Sequence, residues 1–96
     1  MTEPEQVNVV CRADGPGWSC TVQVGPSGRT TEHEVSVSTG ELERLAPSAS
    51  EPTGLVEQSF RFLLEREPRE SILRRFAITK IERYFPDYPT VIRPIR

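Results

Sequence analysis

The sequence predicts an α+β fold: a three-stranded antiparallel meander over residues 7–12, 18–24 and 30–38, followed by three helices, 40–46, 52–66 and 69–85, packed on one of its faces. Three observations lead there. Apolar and polar residues alternate with period two up to position 38 and follow helical spacing after position 40. Two clusters rich in turn residues, Ala13-Asp14-Gly15-Pro16-Gly17 and Gly25-Pro26-Ser27-Gly28, interrupt the alternating part where hairpins need them. The apolar strand positions share one face, which then requires a helical cover.

Along the first part of the chain, Val7-Asn8-Val9-Val10-Cys11-Arg12 reads as a strand and Trp18 to Val24 alternates cleanly as a second. The third, Thr30 to Ser38, puts His33, Val35 and Val37 on one side and Glu32, Glu34 and Ser36 on the other. If each hairpin closes through a four-residue loop, Val9 faces Val22 and Trp18 faces Val35. Val7, Val9, Cys11, Trp18, Cys20 and Val22 then share the apolar face with Val24, Val35 and Val37, opposite a wet face carrying Asn8, Arg12, Thr21 and Glu34. The third strand is expected to be a sheet edge, open to strand addition and guarded by Glu32 and Glu34.

Ser38-Thr39-Gly40-Glu41 is a capping-box signature, so a short helix is expected over 40–46, stopped by Pro47. The helix at 52–66 collects Leu55, Val56, Phe60, Leu63 and Leu64 on one broad face, with Phe62 beside them. Its outer side carries Glu57/Arg61, Arg61/Glu65 and Glu65/Arg69 at i,i+4 spacing. Pro68 interrupts, and helical structure is expected to resume over 69–85 with Ile72, Leu73 and Phe76 inward, then Ile78, Ile81 and Phe85. Residues 1–96 fit one domain, with 1–6 and 87–96 as flexible or extended ends.

At 35% hydrophobic and 27% charged residues, the chain is too apolar and too aromatic to be disordered. No apolar run is long enough to span a bilayer. The first six residues are acidic and polar, unlike a secretory leader, which points to the cytoplasm. There, Cys11 and Cys20 are expected as reduced thiols rather than a bridge. Net charge is −2, with seven acids against three bases in residues 1–50 and seven against nine in residues 51–96.

The assumed register sets Cys11 opposite Cys20, and Cys20 opposite His33, a row of three soft-metal donors. Zinc sites favour cysteines two to four residues apart on a tight knuckle. Here they are nine apart on strands, with no fourth donor. The expected reading is no metal: two small thiols and a half-buried imidazole, with a Cys11–Cys20 disulfide as a geometrically open alternative. The chain holds a single histidine, no nucleophile elbow and no phosphate loop, so no enzyme activity and no cofactor are expected.

Two binding functions remain. Residues 71–85 loosely resemble a helix-turn-helix core whose turn is Phe76-Ala77-Ile78-Thr79, and Arg69, Arg74, Arg75, Lys80 and Arg83 would then contact nucleic acid. The favoured reading is a non-catalytic accessory module with a protein partner, using the tail residues Tyr84, Tyr88, Val91, Ile92 and Ile95. Residues 59–68, 71–73 and 81–86 resemble short uncharacterised bacterial proteins. That resemblance implies no activity, substrate or site.

Overall fold

The alternating segments form β1 Val7–Asp14, β2 Gly17–Val24 and β3 Thr31–Ser38 in a computed structural model that describes residues 6–26 and 28–92. Asp14 pairs with Gly17, leaving a two-residue turn, Gly15-Pro16. Gly15 has φ 60°, a conformation that glycine adopts freely and that places Pro16 at the following, negative-φ position of a tight hairpin turn. Gly17 is needed for another reason: a Cβ there would run into the backbone carbonyl of Val37 on β3.

The first hairpin has the expected register, with Val9 opposite Val22 and Cys11 opposite Cys20. The second does not. Val24 pairs with Thr31, so the connection spans positions 25–30, and Trp18 faces Val37, Cys20 faces Val35 and Val22 faces His33. A slip of two preserves which face each side chain occupies and changes only its neighbours. The apolar face is therefore as expected, whereas the Cys11–Cys20–His33 row is not formed. His33 is fully buried rather than half-buried.

Helix α1 runs Thr39–Leu45 behind a complete capping box: the Glu41 amide donates to Ser38 Oγ at 3.1 Å, and the Ser38 amide donates to Glu41 Oε1 at 2.8 Å. Ser38→Ala is expected to cost about 1 kcal/mol, lowering Tm by about 4–8 °C in a thermal melt. An unchanged Tm would contradict the cap. Helix α2, Thr53–Leu64, buries Leu55, Val56, Phe60, Phe62 and Leu63 and packs on β1.

Residues 69–85 are not helical throughout. They form a 3-10 turn Arg69–Ser71, strand β4 Arg75–Ala77 and helix α3 Lys80–Tyr84. β4 pairs in parallel with β3, Val35 opposite Phe76. The Glu34 amide donates to the Arg74 carbonyl at 2.7 Å and the Ile78 amide to the Ser36 carbonyl at 3.0 Å. The expected three-stranded meander is thus a four-stranded mixed sheet of order β1-β2-β3-β4, and β3 is interior along this stretch rather than an edge. Pro68 and Ile72 are both extended, with ψ 155° and 135°, and from Arg75 onward Phe76 and Ile78 alternate inward. Pairing with β3 gives this backbone its hydrogen bonds, and residues 39–74, with α1 and α2, supply the long crossover that a parallel pair requires. The helix-turn-helix reading loses its turn to β4, and residues 72–74 before it are not helical.

The expected extended tail also folds back. Tyr88–Ile92 form α4, and Tyr88 is fully buried. Ser59 donates its proton to the Leu55 carbonyl at 2.7 Å, so its oxygen accepts from the Tyr88 hydroxyl, also at 2.7 Å. Burial pushes the Tyr88 phenol up to about 12, keeping that donor protonated. The Phe62 ring meets those of Tyr88 and Phe85 edge-on, and Arg66 caps Phe62 at 3.7 Å while reaching Asp87 at 3.6 Å. Residues 1–5 and 93–96, which belong to the expected loose ends, lie outside the described residues. The inward residues of sheet and helices make one apolar cluster, with Trp18 packed at its margin. Among the described residues no helix is long and apolar enough to cross a membrane.

Candidate functional site

The end of α2, the segment that follows it and α3 do not close on one another. After Leu63 the chain makes a turn in which the Arg66 and Glu67 amides both donate to the Leu63 carbonyl at 2.9 Å. Pro68 sends it away extended, and it returns through β4 to α3. Between these pieces lies a groove of about 310 Å³, at the small end of ligand-sized cavities. Ile72, Phe76 and Ile81 are its buried apolar lining, while Leu73 and Tyr84 line it with 43% and 62% of their surface exposed. Glu67, Ser71 and Lys80 supply its polar groups. Burial raises the Glu67 carboxyl above the usual carboxylate range.

Lys80 also borders a second, polar depression with Arg44, Thr79, Glu82 and Arg83. There Arg44 holds Glu82 at 2.8 Å. Among the described residues, Arg74, Arg75, Lys80 and Arg83 form no ion pair. Arg69 is turned to structural use: its Nη2 donates to the Arg29 carbonyl at 3.1 Å, tying the β2–β3 loop to the 3-10 turn.

His33 fixes the segment from which Leu73 projects. Its Nδ1 lies 2.8 Å from the Leu73 carbonyl and its Nε2 2.9 Å from Thr31 Oγ1. A carbonyl only accepts, so the neutral ring carries its proton on Nδ1, and Nε2 accepts from the Thr31 hydroxyl. The ring also packs 5.3 Å from Phe60. Burial lowers the His33 pKa below 6.5, outweighing the Leu73 bond; Arg74 lowers it further and Glu32 opposes. As pH falls through 6.5 the unfolded chain takes up this proton before the folded one, so the His33 contribution to stability declines with falling pH down to the folded pKa. An NMR titration of the chain's single imidazole should show a midpoint below 6.5 and the Nδ1–H tautomer at neutral pH. A midpoint at or above 6.5 would contradict the burial.

The other sequence candidates fall as follows. Cys11 and Cys20 are bridged, not reduced: opposite each other on adjacent strands, they meet on the apolar face, and neither sulfur is left as a metal-binding thiolate. Of the tail residues, Tyr84 lines the groove, Val91 is exposed, Tyr88 is buried in the core and Ile92 is half-buried against it. Ile95 lies outside the described residues. Sequence reasoning missed Leu73 and Glu67 as surface features. A signal was present in Ile72-Leu73: neighbouring side chains in extended backbone point to opposite sides, so only one of the two can face the core.

On the opposite, wet face of the sheet, Arg12, Thr21 and Glu34 share hydrogen bonds of 3.1–3.4 Å, an exposed network of small energetic weight. Set against family models, curated proteins and solved structures, the chain matches none.

Proposed function

We propose that the protein is a small non-catalytic module that binds another protein through the groove between α2 and α3. One observation carries this reading. Among the described residues four large apolar side chains are strongly exposed, Val10, Leu73, Tyr84 and Val91, and two of them converge on the one groove. Exposed apolar groups gathered around a concavity mark interaction sites more often than scattered ones do. Nucleic-acid binding through Arg69, Arg74, Arg75, Lys80 and Arg83 is left with charge alone in its favour, since β4 takes the place of the motif's turn, residues 72–74 before it are not helical, and α3 after it has only five residues. The Cys11–Cys20 bridge weighs toward an oxidising compartment, against the cytoplasmic setting expected from the sequence.

The test compares proteins retained from an extract of the native host by the wild-type chain, by Leu73→Ser/Tyr84→Ser, and by Val10→Ser. Val10 is 70% exposed but lies on β1 outside the groove lining. Loss of a specific partner with the groove variant, and its retention with Val10→Ser, is the expected result. The reverse pattern, or equal retention by all three chains, would contradict the reading.

A further inference from the structure

We infer that the groove takes an acidic peptide segment bearing a bulky apolar anchor, the anchor entering beside Leu73 and Tyr84 and the carboxylates meeting Lys80 and Arg83. This rests on the groove being the docking surface. The apolar part follows from the cavity: Leu63, Ile72, Phe76 and Ile81 line it, and a buried apolar lining gains most from an apolar side chain that displaces water.

The acidic part follows from charge. Residues 69–85 carry five bases and two acids. Of those acids, Glu82 is engaged by Arg44 and Glu70 lies 3.6 Å from Arg69. Arg74, Lys80 and Arg83 are left with no ion pair among the described residues. Lys80 lines the groove itself and also the neighbouring depression that Arg83 lines, and both lie on the short helix α3 that carries Tyr84. The cations therefore accompany the exposed apolar residues, and a partner matching both has carboxylates around an apolar anchor. A nucleic-acid backbone would satisfy the cations while leaving the aliphatic lining and Leu73 unmatched.

Three capped 12-residue peptides with the same Leu and Trp anchors, and Glu, Gln or Lys at every other position, test this by fluorescence anisotropy against the full-length protein, beside a mixed-sequence DNA duplex. The Glu peptide is expected to bind at least about tenfold tighter than the Gln peptide, and Lys80→Glu/Arg83→Glu should erase that advantage. Leu73→Ser should weaken the Glu and Gln peptides alike, and Arg12→Glu, on the wet sheet face, should change nothing. The His33 ring resonances report that each variant is folded. Equal binding of Glu and Gln peptides, still sensitive to Leu73→Ser, would overturn the acidic partner and leave the groove reading standing. No peptide binding, or binding indifferent to Leu73→Ser, would overturn both. Salt-sensitive duplex binding lost in Lys80→Glu/Arg83→Glu, without peptide binding, would assign the cations to nucleic acid instead.

Discussion

Replacing Phe60 by Ala is expected to cost about 3–5 kcal/mol. Phe60 is fully buried, and its ring lies 5.3 Å from that of His33 on β3 and 6.0 Å from that of Phe76 on β4. It is the point where α2 touches the two strands that pair in parallel. Truncation removes a large apolar group and leaves a cavity whose walls, two strands and a helix, are fixed by their own hydrogen bonds and collapse poorly. A domain of this length has a total stability of about 5–14 kcal/mol, so the variant should sit close to unfolding at 37 °C. Urea denaturation read by circular dichroism checks this. Phe60→Leu, which keeps most of the volume, should lose under about 1.5 kcal/mol. A loss below about 1.5 kcal/mol for Phe60→Ala would mean that the ring is not at the centre of the core.

Breaking the Cys11–Cys20 bridge is expected to cost about 2.6 kcal/mol, the chain-entropy value for a loop closed by residues nine apart. Most of that acts on the unfolded chain, which the bridge keeps from exploring open conformations. In the folded state the hairpin already holds the two strands in register. Mass spectrometry of the alkylated protein should find both cysteines blocked until a reductant is added. Denaturation midpoints with and without reductant should differ in the wild type and coincide in Cys11→Ala/Cys20→Ala. Equal midpoints in the wild type, or free thiols in the protein as purified, would contradict the bridge.

The sheet face and the first two helices were legible in the sequence because their signals are long. Eight residues of alternation in β2 and β3 and twelve of helical spacing in α2 leave few competing readings. The capping box at Ser38 and Glu41 was legible for a different reason, since it is a local hydrogen-bond pattern that owes little to the rest of the fold. Loop length was not legible. Gly25-Pro26-Ser27-Gly28 marks a turn without saying whether Arg29 and Thr30 belong to it, and that ambiguity shifted the β2–β3 register by two and placed His33 opposite the wrong residue. The expected compartment argues against the bridge, although the expected register correctly puts the two cysteines opposite each other.

The candidate site was the least legible part. β4 has three residues, too few for period two to declare itself, and Ile72 with Phe76 fits a helical repeat equally well. Only the unpaired edge of β3, a feature of the tertiary structure, decides between them. In the sequence Lys80 belongs to a basic run suited to nucleic acid and Tyr84 to an apolar tail suited to a protein partner. The fold joins them at one groove because β4 turns the chain back toward the end of α2.

The parallel pairing of β4 with β3 is what gives this groove its walls, and through-hydrogen-bond NMR couplings test it most directly. The pairing predicts one coupling from the Glu34 amide to the Arg74 carbonyl and another from the Ile78 amide to the Ser36 carbonyl. Sequential helical contacts running unbroken from residue 69 to residue 85, with neither coupling present, would contradict it and remove the groove.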